Sequence, residues 1–191
     1  FGNYRGNREN LTIYRISKSA YNASDKVQAD TIVFSYEDQV DFTSKPRSDW
    51  DAESLFVFEN QLVVLTKQWE GNGTRAYTVP KTPGNYSAKN IGEYNIEGLV
   101  RGATYNPLTR ILYLTGYNQM LFPFIARVGG LQSDNIFLGT VKRTDLKIGF
   151  AQVEGIAQVG ENRYFFSNEN MVNPLVKSPA RLFSFSTDDD L

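Results

Sequence analysis

Three short segments recur in the same order along this 191-residue chain, and that recurrence narrows the possible folds more than any other feature. The last segment of each set is an alternating strand, found as Leu11-Thr12-Ile13-Tyr14-Arg15-Ile16, Thr74-Arg75-Ala76-Tyr77-Thr78-Val79, Pro123-Phe124-Ile125-Ala126-Arg127-Val128 and Ala180-Arg181-Leu182-Phe183-Ser184-Phe185. With Ile13, Ala76, Ile125 and Leu182 taken as equivalent, the steps are 63, 49 and 57 residues. An apolar run precedes three of these copies: Gln61-Leu62-Val63-Val64-Leu65-Thr66, Arg110-Ile111-Leu112-Tyr113-Leu114-Thr115 and Asn162-Arg163-Tyr164-Phe165-Phe166-Ser167. Before each run stands an acid followed by a small or apolar residue, in Asp51-Ala52-Glu53-Ser54-Leu55, Ile96-Glu97-Gly98-Leu99 and Val153-Glu154-Gly155-Ile156. A repeat near fifty residues, built from strands, predicts an all-β protein: a β-propeller of four-stranded antiparallel blades.

Alternation between Gly, Pro, Asn and Asp turns predicts thirteen strands, at 11–16, 30–36, 53–58, 61–67, 74–79, 88–94, 99–105, 111–116, 123–128, 135–141, 153–159, 163–167 and 180–186. The best helix candidate, Ser17-Lys18-Ser19-Ala20-Tyr21, amounts to one turn. Aromatic residues, at 14%, favour pleated surfaces and agree with a strand-only reading. The expected organisation is one propeller domain over residues 1–191: part of a blade at 1–45, blades at 46–95 and 96–148, and part of a blade at 149–191. Closed rings hold about four to eight blades, so the chain reads as three to four blades of a larger ring and as an internal portion of a longer protein. A β-sandwich with irregular strands is the competing architecture.

Composition removes several classes of chemistry. A net charge of -1 gives no basic field for nucleic acid. With no cysteine and no histidine, disulfides, a structural zinc site and an imidazole base are all excluded. No apolar run approaches the roughly 20 residues of a membrane helix, and the first residues do not look like a signal peptide.

The segments Phe1-Gly2-Asn3 with Gly6-Asn7-Arg8, Asp49-Trp50-Asp51-Ala52-Glu53-Ser54-Leu55-Phe56, Leu65-Thr66-Lys67-Gln68-Trp69, Tyr77-Thr78-Val79-Pro80-Lys81-Thr82-Pro83-Gly84, Gly98-Leu99-Val100-Arg101-Gly102-Ala103-Thr104-Tyr105 and Leu114-Thr115-Gly116-Tyr117 resemble a family of uncharacterised secreted β-propeller proteins of Bacteroidota. Members of that family often carry a type IX secretion sorting domain. The resemblance implies export to the medium or the outer cell surface and implies no established activity. The family's preceding acidic-aromatic segment, its Gly-Asp pair and its sorting domain are absent here, which agrees with an internal portion.

The carboxylates are the most chemical feature. Asp49, Asp51 and Glu53 alternate, so a regular strand directs all three to one face, where their like charges need a counterpart. First strands line the channel of a propeller, so Glu53, Glu97 and Glu154 are expected to converge there, with Glu169 approaching the same end. A hard cation such as calcium suits oxygen ligands of this kind, and Asp51, Glu53, Glu97, Glu154 and Glu169 are the residues that would hold it. The structural alternative has these acids accepting loop amides or pairing with Arg101, Arg75 or Lys67, and it is preferred.

Trp69, Arg101 and Tyr117 are the candidate ligand contacts, and with Trp50 and Phe122 the aromatics suggest a platform for a sugar or peptide. Blade packing is the competing use of the same rings. The Gly71-Asn72-Gly73 and Val128-Gly129-Gly130 segments read as turns, and Asp188-Asp189-Asp190 reads as a solvated tail.

Two functional classes follow. The preferred one is a non-enzymatic, secreted or cell-surface module that presents its loops to a protein or glycan and belongs to a larger surface or secretion complex. The other is a calcium-dependent hydrolase, since Glu154-Gly155-Ile156 and Ser167-Asn168-Glu169 resemble segments of lactonase-like and phytase-like propellers, which activate water with a metal. Three or more of the acids around one ion would favour the enzyme, and salt-bridged acids the binder.

Overall fold

The structure, a computed structural model, describes residues 2–172 and 177–190. In chain order the elements are β1 (Leu11–Arg15), α1 (Lys18–Ala23), β2 (Asp30–Tyr36), β3 (Asp51–Phe58), β4 (Gln61–Lys67), β5 (Thr74–Pro80), β6 (Gly84–Tyr94), β7 (Leu99–Asn106), β8 (Ile111–Tyr117), β9 (Pro123–Gly129), β10 (Thr140–Asp145), β11 (Val153–Gln158), β12 (Arg163–Asn168), β13 (Met171–Val172), β14 (Lys177–Ser178) and β15 (Arg181–Ser186). Strand accounts for 51% of the described residues and helix for 3%, so the all-β expectation holds.

Strands β3, β4, β5 and β6 form an antiparallel meander, as do β7, β8, β9 and β10. Among the described residues a third unit holds only β11, β12 and β15, with β13 and β14 as a two-stranded ribbon. Strand β6 serves two neighbours. Its residues from Lys89 to Tyr94 pair with β5, while Gly84 to Ala88 pair in parallel with β2, and β2 carries β1 on its far side. The resulting six-stranded sheet curls back on itself as a half-barrel, so that β1 and β2 cover β4 and β5. Unequal sheets and one parallel pairing depart from the uniform four-stranded blade expected of the sequence.

The sheets are glued by three apolar layers. The first lies inside the curl and contains Leu11, Ile13, Ile32, Phe34, Val64, Tyr77 and Val79. The second lies between the β3–β6 meander and the β7–β10 meander, with Phe56, Val63, Leu65, Leu112, Leu114 and Phe124. The third, with Tyr113, Ile125, Val153, Tyr164 and Phe166, joins the β7–β10 meander to β11, β12 and β15. Three layers in series exclude a two-sheet sandwich, which has one core. They also explain the continuous apolar runs in the sequence. In β4, Val63 and Leu65 enter one layer and Val64 the other, and every residue of β8 is buried. A strand covered on both faces has no solvent side to mark with polar residues.

Within each unit the first strand carries a bulge at the same place. The pairing register shifts between Ala52 and Ser54 in β3, between Val100 and Gly102 in β7, and between Val153 and Gly155 in β11. The bulged residues are therefore Glu53, Arg101 and Glu154. Strand β7 lies beside β3 on one side and β11 on the other. The approach is close: a Cβ added to Gly102 would stand 3.1 Å from the Cα of Gly155 and from the backbone nitrogen of Ile156. A side chain there would push β11 back by a few tenths of an ångström.

Some sequence expectations shift. The strand anticipated at 135–141 begins instead at Thr140, because Ile136 and Phe137 are apolar loop residues that fill the second layer. The Asn135 side chain accepts the amide of Phe137 at 3.0 Å and holds that loop. The helical turn becomes the short helix α1, capped where Ser17 Oγ accepts the amide of Ala20 at 3.0 Å. The two-residue strands β13 and β14 have no alternation to betray them.

Candidate functional site

The bulges place the chemistry. A bulge aims its extra residue away from the regular alternation, and three adjacent first strands aim Glu53, Arg101 and Glu154 toward one another. Arg101 forms ion pairs with both carboxylates, through Nη1 to Glu53 Oε2 and through Nη2 to Glu154 Oε2, and its Nε donates to Glu154 Oε2 at 3.1 Å. Lys67, at the end of β4, extends the chain of charges: its Nζ lies 3.2 Å from Glu53 Oε1 and 3.9 Å from Asp51 Oδ2. Asp51 is fixed in turn, accepting the backbone amide of Asn3 at 2.9 Å and the indole Nε1–H of Trp69 at 3.3 Å. Acid and base thus alternate from Asp51 through Lys67, Glu53 and Arg101 to Glu154.

Burial differs along this row. Only 3% of the Lys67 and Asp51 side chains is exposed, against 13% for Arg101, 29% for Glu154 and 32% for Glu53. Burial pulls the Lys67 ammonium below its usual range, helped by the nearby Arg101 charge and opposed by Glu53 and Asp51. Burial raises the Glu154 carboxyl, Arg101 holds it down, and Glu169 and Glu53 push it up further. Burial also takes the Tyr117 hydroxyl up to about 12, with Arg101 opposing. One atom is left over. Glu154 Oε1 is buried with no hydrogen-bond partner among the described residues.

Aromatic rings flank the row. The Lys67 ammonium sits 4.4 Å from the centre of the Trp69 ring and the Arg47 guanidinium 5.0 Å, while Tyr4 meets Trp69 edge-on at 5.4 Å. The Arg101 guanidinium is 5.9 Å from the Tyr117 ring. The three candidate ligand contacts, Trp69, Arg101 and Tyr117, are therefore gathered around the same charges as Asp51, Glu53 and Glu154. Trp50 and Phe122 are packed elsewhere, the first against Tyr36 and under Arg75, the second against Phe150.

Two of the acids stand apart from their expected places. Glu97 is an exposed turn residue with φ of 57°, ahead of β7 rather than on it, and its carbonyl accepts from Arg143 Nη1 at 2.6 Å. The bulge shows why: the counterpart of Glu53 and Glu154 in the middle unit is Arg101, four residues beyond Glu97. Glu169 follows β12, is exposed, and acts on Glu154 and Tyr117 through its charge. Asp49 has left the common face as well, accepting the amides of Glu70 at 2.7 Å and Gly71 at 3.1 Å. Among the described residues no three acidic side chains are grouped to share a metal ion. The donor set does not fit calcium, because Lys67 and Arg101 occupy the positions between the carboxylates where a cation would sit.

Beside Trp69 lies an open polar groove of about 700 Å³, lined by Asn72, Asn95, Glu97, Asn118, Gln119 and Arg143, among others. Gln119 Nε2 donates to the Trp69 carbonyl at 3.4 Å and joins the groove to the charged row. The tail expected to be solvated is anchored instead: Asp189 accepts from Arg127 Nε at 2.7 Å and from the Tyr113 hydroxyl at 2.5 Å, with 6% of its side chain exposed. A lone acid within an Asp run carries no sequence mark of such a partner.

No protein-family model matches this chain, and no curated protein does.

Proposed function

We propose that the chain forms blades of a β-propeller that acts outside the cell as a non-enzymatic binding or scaffold module for a protein or glycan. The observation that carries this reading is the pairing of the carboxylates. Lys67 and Arg101 take up Asp51, Glu53 and Glu154, so the row orders three first strands and offers no open ligand set for activating water. What faces solvent beside it is the polar groove, whose amides and charged groups suit hydroxyls or a polar peptide. The stacking of successive sheets through shared apolar layers supports the propeller. The resemblance to exported Bacteroidota propellers supports the location.

Glycan-array and surface-protein binding assays on the wild-type chain and on Gln119→Ala with Glu97→Gln test the reading. Binding that the double variant loses, with an unchanged thermal melt, is the expected result. A stoichiometric calcium site by calorimetry, together with ester or lactone hydrolysis abolished in Glu53→Gln and Glu154→Gln, would overturn it in favour of a hydrolase.

A further inference from the structure

Within the charged row, Asp51 and Lys67 form a pair unlike the rest. They are register partners across β3 and β4, which sets their Cβ atoms about 5 Å apart. Only 3% of either side chain is exposed, whereas Glu53 and Glu154 keep 32% and 29%. The Lys67 Nζ stands 3.9 Å from Asp51 Oδ2, beyond hydrogen-bond distance, and donates instead to Glu53 Oε1 at 3.2 Å. A buried amine thus faces a buried carboxyl group while its hydrogen bond goes to a second acid.

Each part that acyl transfer to an amine requires is in place. Lys67 Nζ is the nucleophile, and Glu53 Oε1 is positioned to take its proton, with the other Glu53 oxygen held by Arg101. Burial favours the free amine over the ammonium. The electrophile is the Asp51 carboxyl, and both of its oxygens accept hydrogen bonds. The Asn3 amide donates to Oδ1 at 2.9 Å and the Trp69 indole to Oδ2 at 3.3 Å. Those are the donors that negative charge developing on the carboxyl oxygens would need. The Trp69 ring covers Nζ at 4.4 Å, and the depth of the pair keeps out water that would reverse the step.

We infer that Lys67 and Asp51 join in an intramolecular isopeptide bond, with Glu53 as the catalytic base. Lys67 Nζ passes a proton to Glu53 and attacks Cγ of Asp51. The Nζ–Cγ bond forms, the bond from Cγ to one carboxyl oxygen breaks, and that oxygen leaves as water. It carries away both protons that the ammonium loses, relayed through Glu53, which returns to its carboxylate form. Nothing is oxidised or reduced. Two buried opposite charges become one neutral amide, which removes their desolvation cost. The inference is independent of the binding reading above.

Intact-mass spectrometry of the wild-type chain, purified and incubated overnight at neutral pH, is the test. The chain should be lighter than its sequence by one water molecule, while Lys67→Met and Glu53→Gln keep their full masses. Trypsin locates the bond. No Lys or Arg lies between Ser48 and Lys67, so both partners fall on one peptide. That peptide should run through an uncut Lys67 to Arg75, lack one water, and give no backbone fragments between Asp51 and Lys67. Glu53→Gln is a near-isosteric change at a partly exposed residue, and its circular dichroism should match the wild type. Full mass in the incubated wild-type chain would overturn the inference with no variant needed. Loss of water that persists in Lys67→Met would overturn it too, by pointing to a succinimide at Asp51.

Discussion

At the scale of single residues the unusual group is Glu154, a half-buried carboxylate with one oxygen bound to Arg101 and the other without a partner among the described residues. Its carboxyl is raised above the ordinary value near 4.3, chiefly by burial. In that interval the folded protein holds a proton on Glu154 that the unfolded chain has released. Stability therefore falls as pH rises from about the ordinary value through the higher native one. Glu154→Gln removes that titration while keeping an oxygen for Arg101. Chemical denaturation between pH 4 and 7 should show the stability of the variant, relative to wild type, climbing with pH across this interval and levelling above it. A difference that stays flat or declines would refute this account of the site. Glu154 was legible in the sequence as an acid before a glycine, but its partner was not, because Glu97-Gly98 offered a closer match in letters than Arg101-Gly102 did in space.

Among the elements, the bulge explains both what the sequence revealed and what it hid. Strands such as β2 and β4 fall at the residues that alternation and apolar runs predict, since alternation marks the one covered face of β2 and the continuous apolar run the two covered faces of β4. A bulge inserts one residue without any composition of its own, so the place of Arg101 between Glu53 and Glu154 had no signature. The glycines next to it separate two roles. At Gly102 a Cβ would meet backbone atoms of β11 at 3.1 Å, whereas at Gly155 the nearest group is Ser167 Oγ at 3.9 Å. Gly102→Ala should thus cost about 1–3 kcal/mol through a displaced β11, and Gly155→Ala distinctly less. Urea titrations of the two variants decide the point. Equal losses would mean that β7 and β11 are not held at this spacing by the missing side chain.

For the molecule as a whole, the consequence of the layers is coupling. The strand β4 belongs to the first and second layers and β8 to the second and third, so no layer can be lost without stripping one face of a strand that supports another. The charged row runs along the same direction and ties β3, β7 and β11 together through Arg101. The repeat in the sequence foretold this serial construction, while the parallel pairing of β2 with β6 escaped it, because pairing between distant segments leaves no local pattern. Leu114, fully buried in the second layer, is the place to test the coupling. Leu114→Ala should lose about 2–5 kcal/mol and lower the melting temperature by roughly 2–4 °C for each kcal/mol in a chain of this size. The transition should stay single, with calorimetric and van't Hoff enthalpies equal, as cooperative unfolding requires. Two resolved transitions in the variant, one near the wild-type temperature, would mean that the layers melt separately and that the shared strands do not transmit the loss.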